Sequence, residues 1–411
     1  MIIKSIHLNN FRNYRRLDLE VGPSVNIVYG FNAQGKTNII EAINVCSCLS
    51  SHRTSKEKDL ITINEDEYEV SLDLSDTKDN FETSLFVGYY TDKSSKTNYS
   101  SNKRILKQDN MVVPKIAQYL GICNTVIFAP EDLNIVKGAP SIRRRFFNLI
   151  ISKTSPSYFD LLTRFNKVFD QKNAVLKSLR GGRPDDMALD YWDYPLADIS
   201  AEIIIYRYRY SIMLDTYAAK HHAVISDEAE KLKVEYNTVS GSIELIKGFL
   251  NENGLFDDYI AGKLSTAIYG QIKAIVSNHL YTKFKATRQN DCERGNMSCG
   301  IQKDDLDISL NDLPMKSFTS QGQQRSASLS LKLAELEIVR AGRSSPVLLL
   351  DDVFSALDVK RRVSLLSGMV DAQIFITCTE RDYIEKELKA LLKTNEMPRF
   401  FRVEAGNVYP E

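Results

Sequence analysis

The 411-residue chain carries no excess charge of either sign: Lys plus Arg and Asp plus Glu both number 53. A whole-protein field that gathers nucleic acid is therefore excluded, and any DNA contact has to come from a local patch. Histidine is scarce, and none follows His279. The 6 cysteines include no CxxC pair, which argues against a disulfide frame or a zinc site and for thiols in a reducing cytoplasm. Cys46 and Cys48 read either as a two-ligand metal hook or as apolar positions of a helix. No apolar run approaches the ~20 residues of a membrane span. The start, MIIKSIHLNNF, alternates like a strand and lacks the apolar block of a secretion signal, so the expected compartment is the cytoplasm. Neither an internal repeat nor a long heptad seam is present, which excludes an extended coiled coil.

What is there is an ordinary globular composition, 43% hydrophobic and 26% charged, in a length that suits about two or three domains. The first stretch reads strand, strand, strand, loop, helix, the last strand being Val25 to Tyr29 and the helix starting at Lys36. Residues 68–75 and 81–91 alternate like a hairpin. From Pro140 to about residue 223 the chain is long, charged and helical, broken at Ser155-Pro156 and at Gly181-Gly182-Arg183-Pro184. Helical stretches resume at 242–252 and 257–280, and strand–helix alternation returns beyond 300. The expected fold is an α/β ATPase head of the phosphate-loop type, split in sequence and interrupted by a mostly helical domain. Its limits are read as 1–138 for the first part of the head, 139–280 for the insertion and 281–411 for the rest.

Gly30-Phe31-Asn32-Ala33-Gln34-Gly35-Lys36-Thr37 matches G-x-x-x-x-G-K-[ST] between a strand and a helix. The glycines let successive backbone N–H groups face a phosphate, and the helix start adds its positive end. Lys36 supplies charge to the β- and γ-phosphates of ATP, and the Thr37 hydroxyl is a Mg²⁺ ligand. The apolar run Val347 to Leu350 marks a strand buried on both faces, with Asp351 and Asp352 at its tip. Asp351 is read as the second Mg²⁺ ligand and Asp352 as the group that polarises the attacking water. Ser320-Gln321-Gly322-Gln323 opens an amphipathic helix one helix and one strand ahead of Asp351. It resembles the ABC signature S-G-G-Q with Gln321 at the first glycine, and Ser355-Ala356-Leu357-Asp358 resembles the D-loop of ABC dimers.

Together these residues resemble the RecF family of bacterial recombination-repair ATPases, relatives of the SMC heads. The resemblance runs almost the whole length, through Asn10-Phe11-Arg12-Asn13-Tyr14, Phe128-Ala129-Pro130-Glu131-Asp132-Leu133, Val136-Lys137-Gly138-Ala139-Pro140 and Arg143-Arg144-Arg145-Phe146. One departure is Gly300-Ile301-Gln302-Lys303-Asp304-Asp305, where the family has G-P-H-R-D-D. The resemblance implies a homodimer formed on ATP that binds duplex DNA near single-strand gaps. It also implies cooperation with RecR and RecO to load RecA, in DNA repair, replication and the SOS response. By the same resemblance Arg12 reaches the nucleotide phosphates, and Glu131 takes the Q-loop position that links nucleotide state to the helical domain.

Two alternatives to that role are a transporter nucleotide-binding domain and an SMC-like clamp in which ATP gates a structure. Most of the chain lies between Thr37 and Ser320, too much for the first and too little coiled coil for a full SMC protein. Where ABC ATPases place a histidine to meet the γ-phosphate, this chain has Thr379, so slow turnover is expected, with ATP acting chiefly as dimer glue. The candidate DNA patch comprises Lys137, Arg143, Arg144, Arg145, Lys153, Arg164, Lys167 and Lys172, with Arg53, Lys56 and Lys58 as a second set. The alternative for the patch is a solvated helical face. Tyr206-Arg207-Tyr208-Arg209-Tyr210 offers either base stacking or packing, and helical geometry favours packing.

Overall fold

The computed structural model describes residues 1–76, 81–94, 96, 101–342, 345–354, 357–367, 372–381 and 398–411. The contacts divide the chain into two compact units: 1–133 with 224–227 and 325–411, and 134–223 with 228–324.

In the first unit, β1 (Ile2–Phe11), β2 (Tyr14–Glu20), β4 (Glu67–Asp76), β5 (Phe81–Tyr90), β6 (Lys103–Gln108) and β7 (Met111–Val112) form an antiparallel sheet in the order β2-β1-β4-β5-β6-β7. Their alternation of buried and open positions follows the period-two pattern seen in the sequence. A second sheet has the order β15-β14-β3-β13-β12-β8 and joins β3 (Val25–Tyr29), β8 (Thr125–Phe128), β12 (Val347–Asp351), β13 (Ile374–Cys378), β14 (Arg399–Glu404) and β15 (Asn407–Pro410). The strands from β14 to β8 run parallel, and β12 and β13 are buried along their whole length. Such strands read as continuous apolar runs because both faces are covered.

The covers differ. On one face lies the helix Lys36–Cys48, whose Ile39, Ile40, Ile43, Val45 and Cys46 join one core with both sheets. A helix apolar on nearly every side belongs between layers. On the other face lies the helix Gln321–Arg340, which contributes Leu329, Leu333, Leu336 and Val339 to a second core with Leu348, Leu350 and Ile376. Each such leucine stabilises the stack by about 1.5–3 kcal/mol.

The second unit is mostly helical, built on Pro140–Thr154, Pro156–Ser178, Asp186–Ser226 and Thr266–Arg294. It also holds a small antiparallel sheet, β11-β10-β9, of β9 (Leu232–Asn237), β10 (Asp305–Leu310) and β11 (Leu313–Pro314). The strand near 304 was expected in the head and its limit at 280; instead β10 pairs with β9 and the unit runs to Gln324. A lone alternating strand does not name its neighbour, so the sequence alone does not show that the boundary falls after Gln324. Asp304 and Asp305 are structural here: Asp304 accepts from the Tyr236 hydroxyl at 2.5 Å and faces Arg207 at 3.7 Å, while Asp305 pairs with Arg143. Gln302, at the departure from the family pattern, donates to the Cys299 carbonyl. Arg207, Tyr208 and Tyr210 are buried, so packing is the outcome for that aromatic run. Among the described residues no helix is long and apolar enough to cross a membrane.

Candidate nucleotide site

The parallel sheet sets the site. β13 lies between β3 and β12, so the chain leaving β3 at Gly30 and the acids ending β12 emerge at the same edge. In such sheets ligands bind beyond the carboxyl ends of the strands.

The loop from Gly30 to Gly35 has a backbone that side chains resist. Gly30 has φ 143°, and a Cβ there would fall 2.4 Å from the Val403 carbonyl oxygen. Gly35 has φ 115°, and a Cβ would lie 2.5 Å from Asn13 Nδ2. Ala33, at φ 64°, also takes the left-handed region. Residues just outside the loop hold it. The Asn13 amide donates to the Gln34 carbonyl at 3.0 Å, the Tyr14 hydroxyl donates to the Gly35 carbonyl at 3.1 Å, and the Ala405 N–H donates to Gln34 Oε1 at 2.5 Å. Lys36 Nζ donates to the carbonyls of Gly30 and Phe31 at 2.7 and 2.8 Å, and burial lowers its pKa. Phe31, Asn32 and Ala33 face solvent, Phe31 at 85% exposure.

Thr37 lies in the first turn of the loop's helix, and its hydroxyl donates to Asp351 Oδ1 at 2.8 Å. The Thr377 hydroxyl of β13, opposite Asp351 in register, donates to the same oxygen at 2.8 Å and accepts the Asp352 N–H at 3.0 Å. His52 Nε2 lies 3.7 Å from Asp351 Oδ2. Burial works to raise the Asp351 pKa, but His52, Thr377 and Thr37 outweigh it and hold the carboxyl below its ordinary value. Asp352 is exposed in a left-handed conformation, φ 50°. A hydroxyl beside one ionised carboxylate, next to a phosphate cradle, is the oxygen donor set that suits Mg²⁺. Among the described residues no group of three or more His, Cys, Asp and Glu could hold a metal alone. The Cys46–Cys48 hook is excluded: the Cys46 thiol sits in the core against Tyr119, its pKa pushed to about 12 mainly by burial, and Cys48 faces Thr125.

The Arg12 guanidinium grips both oxygens of Glu41, on the loop's helix, at 2.7 and 2.8 Å and donates to the Asp59 carbonyl at 2.7 Å. Those three donors hold a buried carboxylate and a backbone carbonyl. Glu131 is exposed, whereas its neighbour Asp132 is drawn inward, accepts the Ala129 N–H at 2.8 Å and has its pKa raised to about 6 by burial.

In the second unit, Ser320 and Gln323 form a reciprocal cap: Ser320 Oγ accepts the Gln323 N–H at 3.2 Å, and Gln323 Oε1 accepts the Ser320 N–H at 2.8 Å. Ser320 and Gln321 are exposed, and Gly322 is partly so. Asp358 is exposed, caps the helix Val359–Ser367 and pairs with Arg361 at 2.6 Å; Ser355 and Ala356 lie outside the described residues. Thr379 is exposed just past β13.

The basic candidates separate. Arg143 is buried in a two-pronged pair with Asp305, at 2.6 and 2.9 Å, and Arg144 donates to the Asp304 carbonyl at 2.8 Å. Lys172 is buried against Asp193, and Lys153 is buried too. Arg143, Lys153 and Lys172 therefore leave the candidate patch, whereas Arg144 is partly exposed. Arg145 and Lys56 are exposed, Lys137 is partly so, and Arg53 reaches Asn38 Oδ1 at 3.0 Å. Sequence reasoning passed over His52, Asn13, Tyr14 and Glu41. Asn13 and Tyr14 stand in a family motif, but His52 and Glu41 carry no local signal.

A parallel sheet with a phosphate loop and a hydroxyl–carboxylate pair at its edge, covered by a helix with a signature-type start, defines an ABC-type ATPase head. The model of the RecF/RecN/SMC N-terminal domain matches residues 2–398. The DNA replication and repair protein RecF of Acetivibrio thermocellus is 35% identical over 410 residues, covering 100% of both chains. That of Ruminiclostridium cellulolyticum is 34% identical over 411 residues, covering 100% of this chain and 99% of the relative. A solved structure of the recombination mediator RecF with ATP superposes with a TM-score of 0.81 at 29% identity, covering 100% of this chain and 97% of the other. An SMC head bound to a domain of ScpA matches at 13% identity and TM-score 0.51, which shows the shared fold alone. The chain belongs to the RecF branch of the RecF/RecN/SMC family, the recombination-repair ATPases.

Proposed function

We propose that the chain is a nucleotide-gated DNA-binding protein whose ATP site is completed by a second copy of itself. The observation that carries this reading is the meeting of Thr37 and Asp351 at 2.8 Å beside a braced phosphate loop. Gly30, Gly35 and the loop amides bind the phosphates of ATP, Lys36 adds charge, and Asp352 orients water. Mg²⁺, held by Thr37 and Asp351, would neutralise phosphate charge. The exposed Ser320–Gln323 turn is the element that a partner copy presents to the γ-end, with Asp358 at the same interface. The relatives are named DNA replication and repair proteins, and a similar solved structure is a recombination mediator of the RecFOR pathway. In line with that family, the role proposed for this chain is to bind duplex DNA near single-strand gaps and to help RecR and RecO load RecA. Thr379 in place of a histidine supports turnover well below the median enzyme's about 10 s⁻¹.

Light scattering with and without ATP·Mg²⁺, repeated on a gapped duplex, tests the reading. The expected result is a doubling of mass on ATP and binding of the duplex by the doubled species. A mass unchanged by ATP sinks it. The alternative, an SMC-like clamp without a mediator role, shares the nucleotide step and departs at the next: it dimerises on ATP yet leaves RecA loading by RecR and RecO unaffected.

A further inference from the structure

The helix Lys36–Cys48 stops at Leu49, which turns left-handed at φ 54°. Ser51 then fixes the returning chain. Its hydroxyl donates to Glu41 Oε1 at 2.5 Å and accepts the N–H groups of Arg53 and Thr54 at 3.0 and 3.1 Å. Between these anchors stands His52, its side chain only 8% exposed. Neither ring nitrogen has a hydrogen-bond partner among the described residues. A buried imidazole without partners costs stability and asks for an explanation.

The explanation is what it faces. Asp351 Oδ1 is occupied by the hydroxyls of Thr37 and Thr377, and Oδ2 is the oxygen turned to His52 Nε2 at 3.7 Å. A ring movement of about 1 Å closes that gap to a hydrogen bond. His52 is also within electrostatic reach of Asp132, in the turn that follows β8. We propose that His52 is the positioning residue of Asp351: it takes Oδ2, so that Oδ1 stays directed at the Thr37 hydroxyl. Partners of this kind orient metal-binding carboxylates, and their loss typically weakens metal affinity by about 10- to 100-fold. His52 acts through Asp351 and touches neither nucleotide nor water in this role. The inference rests on Thr37 and Asp351 being the Mg²⁺ ligands.

The test is the binding of a slowly hydrolysed ATP analogue to the full chain as Mg²⁺ is varied, for wild type, His52→Leu and His52→Gln. His52→Leu is expected to raise the half-saturating Mg²⁺ about tenfold while metal-free analogue binding stays at the wild-type level. His52→Gln, whose amide can donate from the place of Nε2, is expected to recover most of that loss. A Mg²⁺ dependence in His52→Leu equal to wild type overturns the inference, and so does a His52→Gln as impaired as His52→Leu. A wild type with no Mg²⁺ dependence sinks the metal-site reading itself, a result distinct from either. If His52→Leu does not melt cooperatively, the ¹⁵N imidazole signal absent from His52→Gln is followed in wild type. It is expected to shift when Mg²⁺ is added to the analogue complex, and a signal that stays put overturns the proposal.

Discussion

The Thr37 hydroxyl and the Asp351 carboxylate, 314 residues apart in sequence, meet at 2.8 Å. Nothing local joins them. β13 aligns Asp351 with Thr377 on one side and Tyr29 with Cys378 on the other, and that register brings the loop's helix start to the acid.

Replacing Lys36 by Met removes the charge that meets the phosphates. ATP binding and ATP-dependent association are both expected to vanish. Asp352→Asn keeps the loop and the Thr37–Asp351 pair, so association on ATP persists while hydrolysis drops by about 100-fold or more. Phosphate release and light scattering on the two variants check this, and normal ATP-driven dimers of Lys36→Met would refute the gating model.

Glu41 is fully buried and both its oxygens rest on Arg12. Arg12→Ala strips that carboxylate of its two-pronged partner and leaves Arg53, at 3.5 Å, as counter-charge, a loss of about 3 kcal/mol. Removing both partners in Arg12→Met with Glu41→Leu is expected to cost less than the single change. Urea unfolding of the variants decides: equal losses in the single and double variants argue against the pair.

Tyr14→Phe deletes only the hydroxyl that donates to Gly35. One neutral hydrogen bond is worth about 1 kcal/mol, or about fivefold in affinity. Stability is expected to fall by about that 1 kcal/mol, read in urea unfolding, and nucleotide affinity by no more than that factor.

Arg143 and Arg145, two residues apart on one helix, should fail differently. Arg143→Gln breaks the pair with Asp305 and is expected to lower the stability of the second unit. Arg145→Gln touches an exposed side chain and is expected to weaken duplex binding, reducing the slope of log affinity against log salt by about 1. Duplex affinity measured over a salt series, alongside melting, separates the two.

His7 lies between Asp18 and Asp73, at 2.8 and 3.0 Å, on the antiparallel sheet. Burial lowers its pKa, but the hydrogen bonds to Asp18 and Asp73 outweigh it and the net shift is upward. The folded chain thus holds the proton more tightly than the unfolded one. The resulting stability is complete below about pH 6.5 and is lost as pH rises through the raised value. The melting advantage of wild type over His7→Gln is expected to shrink from about pH 6 to about pH 8; an advantage that grows over that range would contradict the assignment.

Local chemistry made much of this protein legible. The run Val347 to Leu350 announces a strand covered on both faces, and it is one. Gly30, Gly35, Lys36 and Thr37 declare a phosphate loop because the backbone there tolerates little else, and Ser320 with Gln323 declares a helix start because the two groups cap each other. These features depend on neighbours a few residues away, which a sequence displays directly.

Tertiary structure decided the partners. Arg143 looks like a free cation on a basic helix until β10 sets Asp305 beside it, and the sequence does not show that Arg12 pairs with Glu41 of the loop's helix. His52, an unremarked residue after a helix end, gains meaning only when β12 delivers Asp351 to within 3.7 Å. Periodicity and spacing report backbone form; a buried charge or imidazole is defined by what a distant strand or helix brings to it, and that contact exists only once the chain has packed.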